Sequence, residues 1–268
     1  MYFIWTLDKA IKEVKKRNKN KLDTCISFLP VKTRNREEVM RNVQVYLKIL
    51  DRIKTEGLNS EITLKLHQFG VYGNRELMAE SVEAVVKYAE KLGNFVWIDM
   101  EKEDTVSVTI EIFQKIREKH KNVGICLQTC LKRTEADIKN LLAKRVPLRL
   151  VKGFYLPYDI KNWSEVTENF SRLMEILLLG SDRPCIATHD LALVEKAKNI
   201  IREKNIANAE IQFFFGVREK LARELVKGGF KTVIYVPFGN IITYLLRGLF
   251  TFDNLRNIQR LLRFKKIY

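Results

Sequence analysis

Eight polar residues of this chain lie inside or at the end of short, otherwise apolar runs: Lys65, Asp99, Gln128, Arg149, Lys152, His189, Gln212 and Tyr235. A charged group in a buried strand costs several kcal/mol unless it is paired or used. One such group is accounted for by a structural ion pair. Charges contributed by several different runs point instead to a shared site. Lys65, Arg149 and Lys152 are cationic, and Asp99 is the only acid in the set. That balance suits an anionic ligand: a carboxylate, a phosphate or an electron-rich flavin ring. It does not suit a hard divalent cation, which wants several oxygen ligands. His67 and His189 have no His or Cys partner at zinc-ligand spacing, so no metal is expected. His67 reads as a satisfied structural histidine, and His120, among lysines near a helix end, as a solvated one. Thr188-His189-Asp190 could pass for hydrolytic machinery, but no G-x-S-x-G elbow accompanies it.

The elements that must position these residues repeat along the chain. Each unit is a short apolar run followed by an amphipathic helix. The runs are Cys25–Leu29, Ile62–Leu66, Phe95–Asp99, Val123–Gln128, Leu148–Lys152, Cys185–Thr188, Ile211–Phe215 and Thr232–Val236. After the first, Val39, Val43, Leu47 and Leu50 recur at helical spacing and predict a helix from about Arg36 to Thr55. Near-continuous apolar runs fit strands buried on both faces, as parallel strands are. Eight strand–helix units suffice to close a (β/α)8 barrel of the TIM type, whose chemistry sits at the carboxyl ends of the strands. An open doubly wound sheet is the competing architecture. No strand is followed by G-x-G-x-x-G or a P-loop, so any nucleotide cofactor must be held by the strand ends.

Composition bounds the rest. The chain has 268 residues, 46% hydrophobic and 30% charged, which suits one globular domain spanning residues 1–268. Residues up to about 22 form a helical lead-in, and about 252–268 a basic amphipathic tail. No run reaches the ~18–20 apolar residues needed to span a bilayer. The charges of the amino-terminal segment follow its short apolar run, opposite to a secretory signal, so a cytoplasmic location is expected. The four cysteines, Cys25, Cys126, Cys130 and Cys185, form no CxxC pair and read as buried thiols. The net charge of +16 leaves three readings open: a solvated lysine-rich surface, attraction to an anionic membrane, or nucleic acid.

Seven segments, in order over roughly residues 60 to 250, resemble the FAD-dependent proline dehydrogenases. They are LKL around Lys65, WIDMEKEDT around Asp99, GICLQTCLKRTEADI around Gln128, LRLVKGFYLPY, ATHD, EIQFFFGVREKLARELVKGGFKTVIYVPFG and YLLRGLF. LRLVKGFYLPY, close to the family's R-L-V-K-G-A-Y signature, is the most specific. The resemblance implies a distorted (β/α)8 barrel with a last helix covering the strand ends. It implies oxidation of proline to 1-pyrroline-5-carboxylate, the first step of proline catabolism, by hydride transfer to FAD. By resemblance, Met100, Gln128, Arg149, Lys152, Gly153, Phe154, Thr188 and His189 contact FAD, with Arg149 near the flavin N5 edge. Lys65 and Arg247 hold the substrate carboxylate. Asp99 and Tyr235 orient those cations, and Asp99 and Arg149 carry the catalytic roles.

The residues themselves agree with that chemistry. A fixed guanidinium stabilises the negative charge of a reduced flavin. A glycine after Lys152 lets the backbone approach a bulky group. Thr188 and His189 precede a helix N-terminus, which favours an anion such as pyrophosphate. Two positions depart from the family pattern. Gly248 stands where a second arginine is expected, and Thr251 where a glutamate is. One alternative is therefore a flavin barrel that oxidises another cyclic or secondary amine. A basic nucleic-acid-binding barrel is the non-enzyme alternative, and nucleic acid is not the expected partner. In the tail, Leu255, Ile258, Leu261 and Leu262 share a helical face edged by Arg256, Arg260, Arg263, Lys265 and Lys266. It either docks on the barrel or binds the inner membrane surface peripherally, with a quinone as electron acceptor.

Overall fold

The computed structural model describes residues 4–30, 33, 35–153 and 159–240. The chain runs β1 (Ile4–Trp5), α1 (Leu7–Asn18), β2 (Asp23–Leu29), α2 (Arg36–Thr55), β3 (Ser60–Lys65), α3 (Arg75–Lys91), β4 (Val96–Asp99), α4 (Val106–Lys119) and β5 (Val123–Gln128). It continues through α5 (Thr134–Leu142), β6 (Leu148–Val151), α6 (Trp163–Gly180), β7 (Pro184–Ala187), α7 (Leu191–Glu203), β8 (Glu210–Phe214), α8 (Glu219–Lys227) and β9 (Lys231–Asn240). Strands β2 to β9 pair in parallel in sequence order, and β9 pairs with both β8 and β2. That closure makes a (β/α)8 barrel and removes both sheet edges. The short β1 adds antiparallel to the far end of β9, with Ile4 opposite Asn240. All eight expected runs are barrel strands, and the open sheet is excluded. Among the described residues no helix is long and apolar enough to cross a membrane.

The helices form where their sequences dictate. In α2 the side chain of Asn35 accepts from Glu38 N–H at 3.0 Å and so caps an otherwise orphaned donor. Val39, Val43, Tyr46, Leu50 and Ile53 then bury one face against the strands. Each fully buried side chain of this size contributes about 1.5–3 kcal/mol. Helix α7 is capped the same way by Asp190, whose Oδ1 accepts from Ala192 and Leu193 N–H at 3.0 and 3.4 Å.

Two layers of buried side chains fill the lumen below the mouth. One is apolar, with Trp97, Cys25, Cys185 and Val233 packed together and Phe95 against them. Beneath it Arg183 ties the base. Its Nη2 meets Glu61 Oε1 at 2.6 Å and its Nε meets Glu210 Oε1 at 2.7 Å. Lys231 Nζ reaches the same Glu210 oxygen at 2.7 Å. Gln212 Nε2 donates to Glu210 Oε2 at 3.1 Å. Gln212 thus turns to the base rather than joining the mouth residues.

His120 corrects an expectation. It is buried, not solvated, because the chain leaving α4 folds it against α3. Its Nδ1 lies 2.7 Å from Glu90 Oε2.

Candidate active site

Lys65 and Asp99 end neighbouring strands and are direct register partners. Asp99 Oδ2 takes the Lys65 ammonium in an ion pair and also accepts from Tyr235 OH at 3.1 Å. Lys65 Nζ in turn donates to Tyr235 OH at 2.9 Å, which closes a three-membered ring of polar groups. Arg149 rises from β6 and places Nη1 3.4 Å from Asp99 Oδ1. All four lie against the lumen, and Lys65 and Arg149 are each only 2% exposed. Burial pushes the Asp99 carboxyl up, but Lys65 and then Arg149 outweigh it and hold it below the usual carboxylate range. Asp99 is therefore an anion at neutral pH. Burial also pulls the Arg149 guanidinium down, and the Asp99 charge reverses that, so Arg149 stays protonated.

The turn after β3 fixes Lys65 through its backbone. Gln68 Oε1 accepts from Lys65 N–H at 2.9 Å and from Tyr46 OH at 2.6 Å, and Gln68 Nε2 donates to Phe28 O at 2.5 Å. The turn is also strapped to the segment after β4. His67 Nδ1 lies 2.6 Å from Glu101 Oε1, and Glu101 Oε2 accepts from His67 N–H at 3.1 Å. His67 is thus held against Glu101 as a structural histidine, by charge proximity at Nδ1 and by its backbone N–H. Glu101 O accepts from Gln128 Nε2 at 2.7 Å, so the same strap orients the Gln128 amide. Met100, between Asp99 and Glu101, is buried.

Around the barrel, Lys152 is engaged by protein side chains. Its ammonium donates to Thr167 Oγ1 at 2.8 Å and to Asp190 Oδ2 at 3.1 Å. His189 stacks on Phe213, with centroids 5.9 Å apart, while Thr188 Oγ1 accepts from Asp190 N–H at 3.2 Å. Burial, with a smaller push from Arg218, holds the His189 imidazole down to about 4, so it is neutral at pH 7. Gly153 is also required by its own backbone and packing. Its φ is +126°, and a Cβ there would overlap Cys130 Sγ. Phe154, Arg247, Gly248, Thr251, the helix expected to cover the mouth and the tail of about 252–268 lie outside the described residues. All four cysteines are free and buried, and burial pushes Cys25, Cys126 and Cys130 up to about 12, which leaves them unreactive thiols. Among the described residues no His, Cys, Asp or Glu cluster could hold a metal.

Sequence reasoning missed Glu101, Asp190 and Gln68 as partners of the site. Asp190 carried a usable signal, an acid directly before an apolar-periodic helix.

Arg149 Nε and His189 Nδ1 are among the buried polar atoms with no hydrogen-bond partner among the described residues. An orphaned buried donor or acceptor costs about 1–3 kcal/mol. Such atoms beside a mouth lined by cations fit a polyanionic, polar-edged group such as a flavin cofactor.

Comparison with known proteins agrees. The family model described as "Proline dehydrogenase" matches residues 10–250. Proline dehydrogenase 2 of Bacillus subtilis (strain 168) is 30% identical over 237 residues, covering 87% of this chain and 78% of that protein. Proline dehydrogenase of Deinococcus radiodurans is 27% identical over 203 residues, covering 72% of this chain and 66% of that one. Among solved structures, proline utilization A from Bdellovibrio bacteriovorus inactivated by N-propargylglycine superposes with a TM-score of 0.83 at 21% identity. That match covers 91% of this chain and 32% of the other, so the present chain spans about a third of that larger protein. Proline utilization A from Corynebacterium freiburgense gives 0.79 at 22% identity over 97% of this chain and 31% of the other. At these identities the solved structures show the fold, and the model and the Bacillus relative show the family. The chain is a barrel oxidoreductase of the kind that implies a flavin. It belongs to the proline dehydrogenase family.

Proposed function

We propose that this protein oxidises L-proline to 1-pyrroline-5-carboxylate at the barrel mouth with FAD as cofactor, and that residues 1–268 act as one catalytic unit. The observation that carries the reading is the pairing of two buried cations, Lys65 and Arg149, with one carboxylate, Asp99. Both cations are buried at the strand ends, so a substrate carboxylate that reaches them interacts in a low-dielectric setting where the attraction is strong. Lys65, with Arg247, receives the substrate carboxylate. Tyr235 donates its hydroxyl proton to Asp99 Oδ2 and accepts from Lys65, which fixes the direction of the ammonium. Asp99 holds both cations and remains ionised. Arg149, Gln128, Met100, Lys152, Gly153, Phe154, Thr188 and His189 hold the cofactor. A flavin held by these residues would supply the acceptor for the hydride from ring C5 of proline, while the protein supplies position and electrostatics. The proposal extends to a cytoplasmic enzyme that passes its electrons to a quinone, with its basic tail either docked on the barrel or set against an anionic membrane surface. No comparison points to another amine or to nucleic acid, and those alternatives gain no support.

The test is direct. Purified protein supplied with FAD should show the two visible absorption bands of an oxidised flavin. Proline should bleach them, and pyrroline-5-carboxylate should appear in step. A protein that binds FAD but is not reduced by proline overturns the substrate, and one that binds no flavin overturns the site.

A further inference from the structure

Arg149 is held in an unusual way. Its Nε has no partner among the described residues, its one ion contact is 3.4 Å, and Nη2 meets only the Cys25 thiol, at 4.0 Å. Hydrogen bonds alone do not fix the plane of this guanidinium. Its Cζ lies 4.5 Å from the ring centroid of Trp97. Arginine stacks on aromatic faces, and such contacts strengthen when desolvated. Trp97 is completely buried.

The indole is itself fixed from the base of the barrel. Its Nε1 donates to Glu61 Oε2 at 2.9 Å, and Glu61 Oε1 meets Arg183 Nη2 at 2.6 Å. Arg183 Cζ also lies 5.4 Å from the Trp97 ring. Beside it, in register on β5, is Gly124. A Cβ there would come within 2.7 Å of the indole, so the space the ring occupies exists because residue 124 has no side chain. A continuous chain of contacts therefore runs from the base, through Glu61 and Trp97, to Arg149 and Asp99.

We infer that Trp97 is a positioning residue for the reaction: a rigid aromatic platform, pinned at the barrel base, that sets the Arg149 guanidinium at the cofactor side of the mouth. The inference rests on the flavin site proposed above. Trp97 touches neither substrate nor cofactor and acts only through Arg149. The substrate carboxylate is held by Lys65, which Trp97 does not position, so the effect belongs in the chemical step and not in proline binding.

The experiment compares Trp97→Phe and Trp97→Met in the FAD-loaded protein. The readouts are the flavin midpoint potential, the dissociation constant for FAD, kcat and KM for proline, and Tm. Phenylalanine keeps a ring face under Arg149, so potential and kcat should stay within about threefold of wild-type behaviour. Methionine fills much of the volume without a π face. It should make the potential more negative and lower kcat about tenfold, with KM little changed. Gly124→Ala, which presses on the ring without removing it, should shift the potential in the same direction, and it serves if the methionine variant does not fold. If Trp97→Met or Gly124→Ala lowers Tm but leaves potential and kcat at wild-type values, Trp97 is core volume only and the inference falls. Failure of the wild-type protein to bind FAD sinks the site itself, a result plainly distinct from an indifferent variant.

Discussion

The barrel carries two buried ion clusters, one at each end of its lumen, and they are built differently. At the base every charge is answered. Arg183 meets Glu61 and Glu210, Glu210 also meets Lys231 and Gln212, and the guanidinium lies 4.4 Å from the Phe95 ring. At the mouth two cations share one carboxylate, and the buried Arg149 Nε has no partner among the described residues. A saturated cluster has nothing to offer a ligand and serves only to close the barrel. The orphaned Arg149 Nε leaves the mouth cluster a buried donor that a ligand can complete. Satisfaction, not burial or charge, separates the two.

The sharpest test exchanges one arginine at each end. Arg149→Met should lower the rate of flavin reduction by proline about a hundredfold, the scale of losing a preorganised electrostatic contact. Its Tm should fall little, because an unsatisfied group and a strained charge balance leave together. Arg183→Met strands two buried carboxylates, Glu61 and Glu210. Breaking a buried pair this way costs about 3–5 kcal/mol, or on the order of 10 °C in Tm. Flavin reduction per folded molecule should change far less than in Arg149→Met. If the two variants show the reverse pattern, the division of labour between the ends is wrong.

A smaller effect is expected with pH. His189, at the mouth, is held down to about 4 by burial and Arg218. Its unfolded form takes up a proton first as the pH falls. The native state should therefore lose stability between about pH 6.5 and 4, and the slope should vanish below 4, where both states are protonated. At the base Glu61 has the opposite sign. Burial outweighs Arg183 and raises its carboxyl above 4.5, so its contribution weakens as pH rises from that value. Glu210, where Arg183 and Lys231 outweigh burial, is depressed and loses its contribution only as pH falls below about 4.5. His189→Gln should flatten the dependence of Tm on pH in the window from about 6.5 to 4. An unchanged slope would mean that the ring is accessible to protons in the folded state.

The barrel is legible in the sequence because parallel strands buried on both faces read as unbroken apolar runs, and eight of them recur. The two-residue β1 is not legible, since its existence depends on β9 extending past Pro237 to pair with it. The mouth residues Lys65, Asp99, Arg149 and Tyr235 are visible because polar groups stand out in apolar runs. What the pattern cannot give is where a long side chain turns. Gln212 sits in such a run but bonds Glu210 at the base. Lys152 lies one residue beyond β6, and its direction is set by Thr167 and Asp190, which belong to later elements. The base is hidden for the same reason. Arg183 precedes its strand, Glu61 is the second residue of another, and only closure of the barrel brings them together.

Lys152 sharpens the comparison, since unlike Arg149 it is a mouth cation whose ammonium already has two side-chain partners. Asp190 serves two purposes with two oxygens. Oδ1 caps α7, and Oδ2 lies 3.1 Å from the Lys152 ammonium. Burial pushes the Asp190 carboxyl up, but Lys152 and the cap donors hold it below its ordinary value, so it is charged at neutral pH. A phosphate arriving at Lys152 must compete with that charge. Asp190→Asn keeps an oxygen for the cap and removes the competitor. The pair is partly exposed, so the change is the modest one of a screened ion pair, about 0.2–1 kcal/mol. FAD should bind the variant about two- to fivefold more tightly, measured by quenching of flavin fluorescence on titration of the cofactor-free protein. The gain should shrink with added salt, as Coulomb competition requires. Weaker binding in Asp190→Asn would show that Asp190 orients Lys152 toward the cofactor, and Lys152 would then belong with Arg149 as a group a ligand completes.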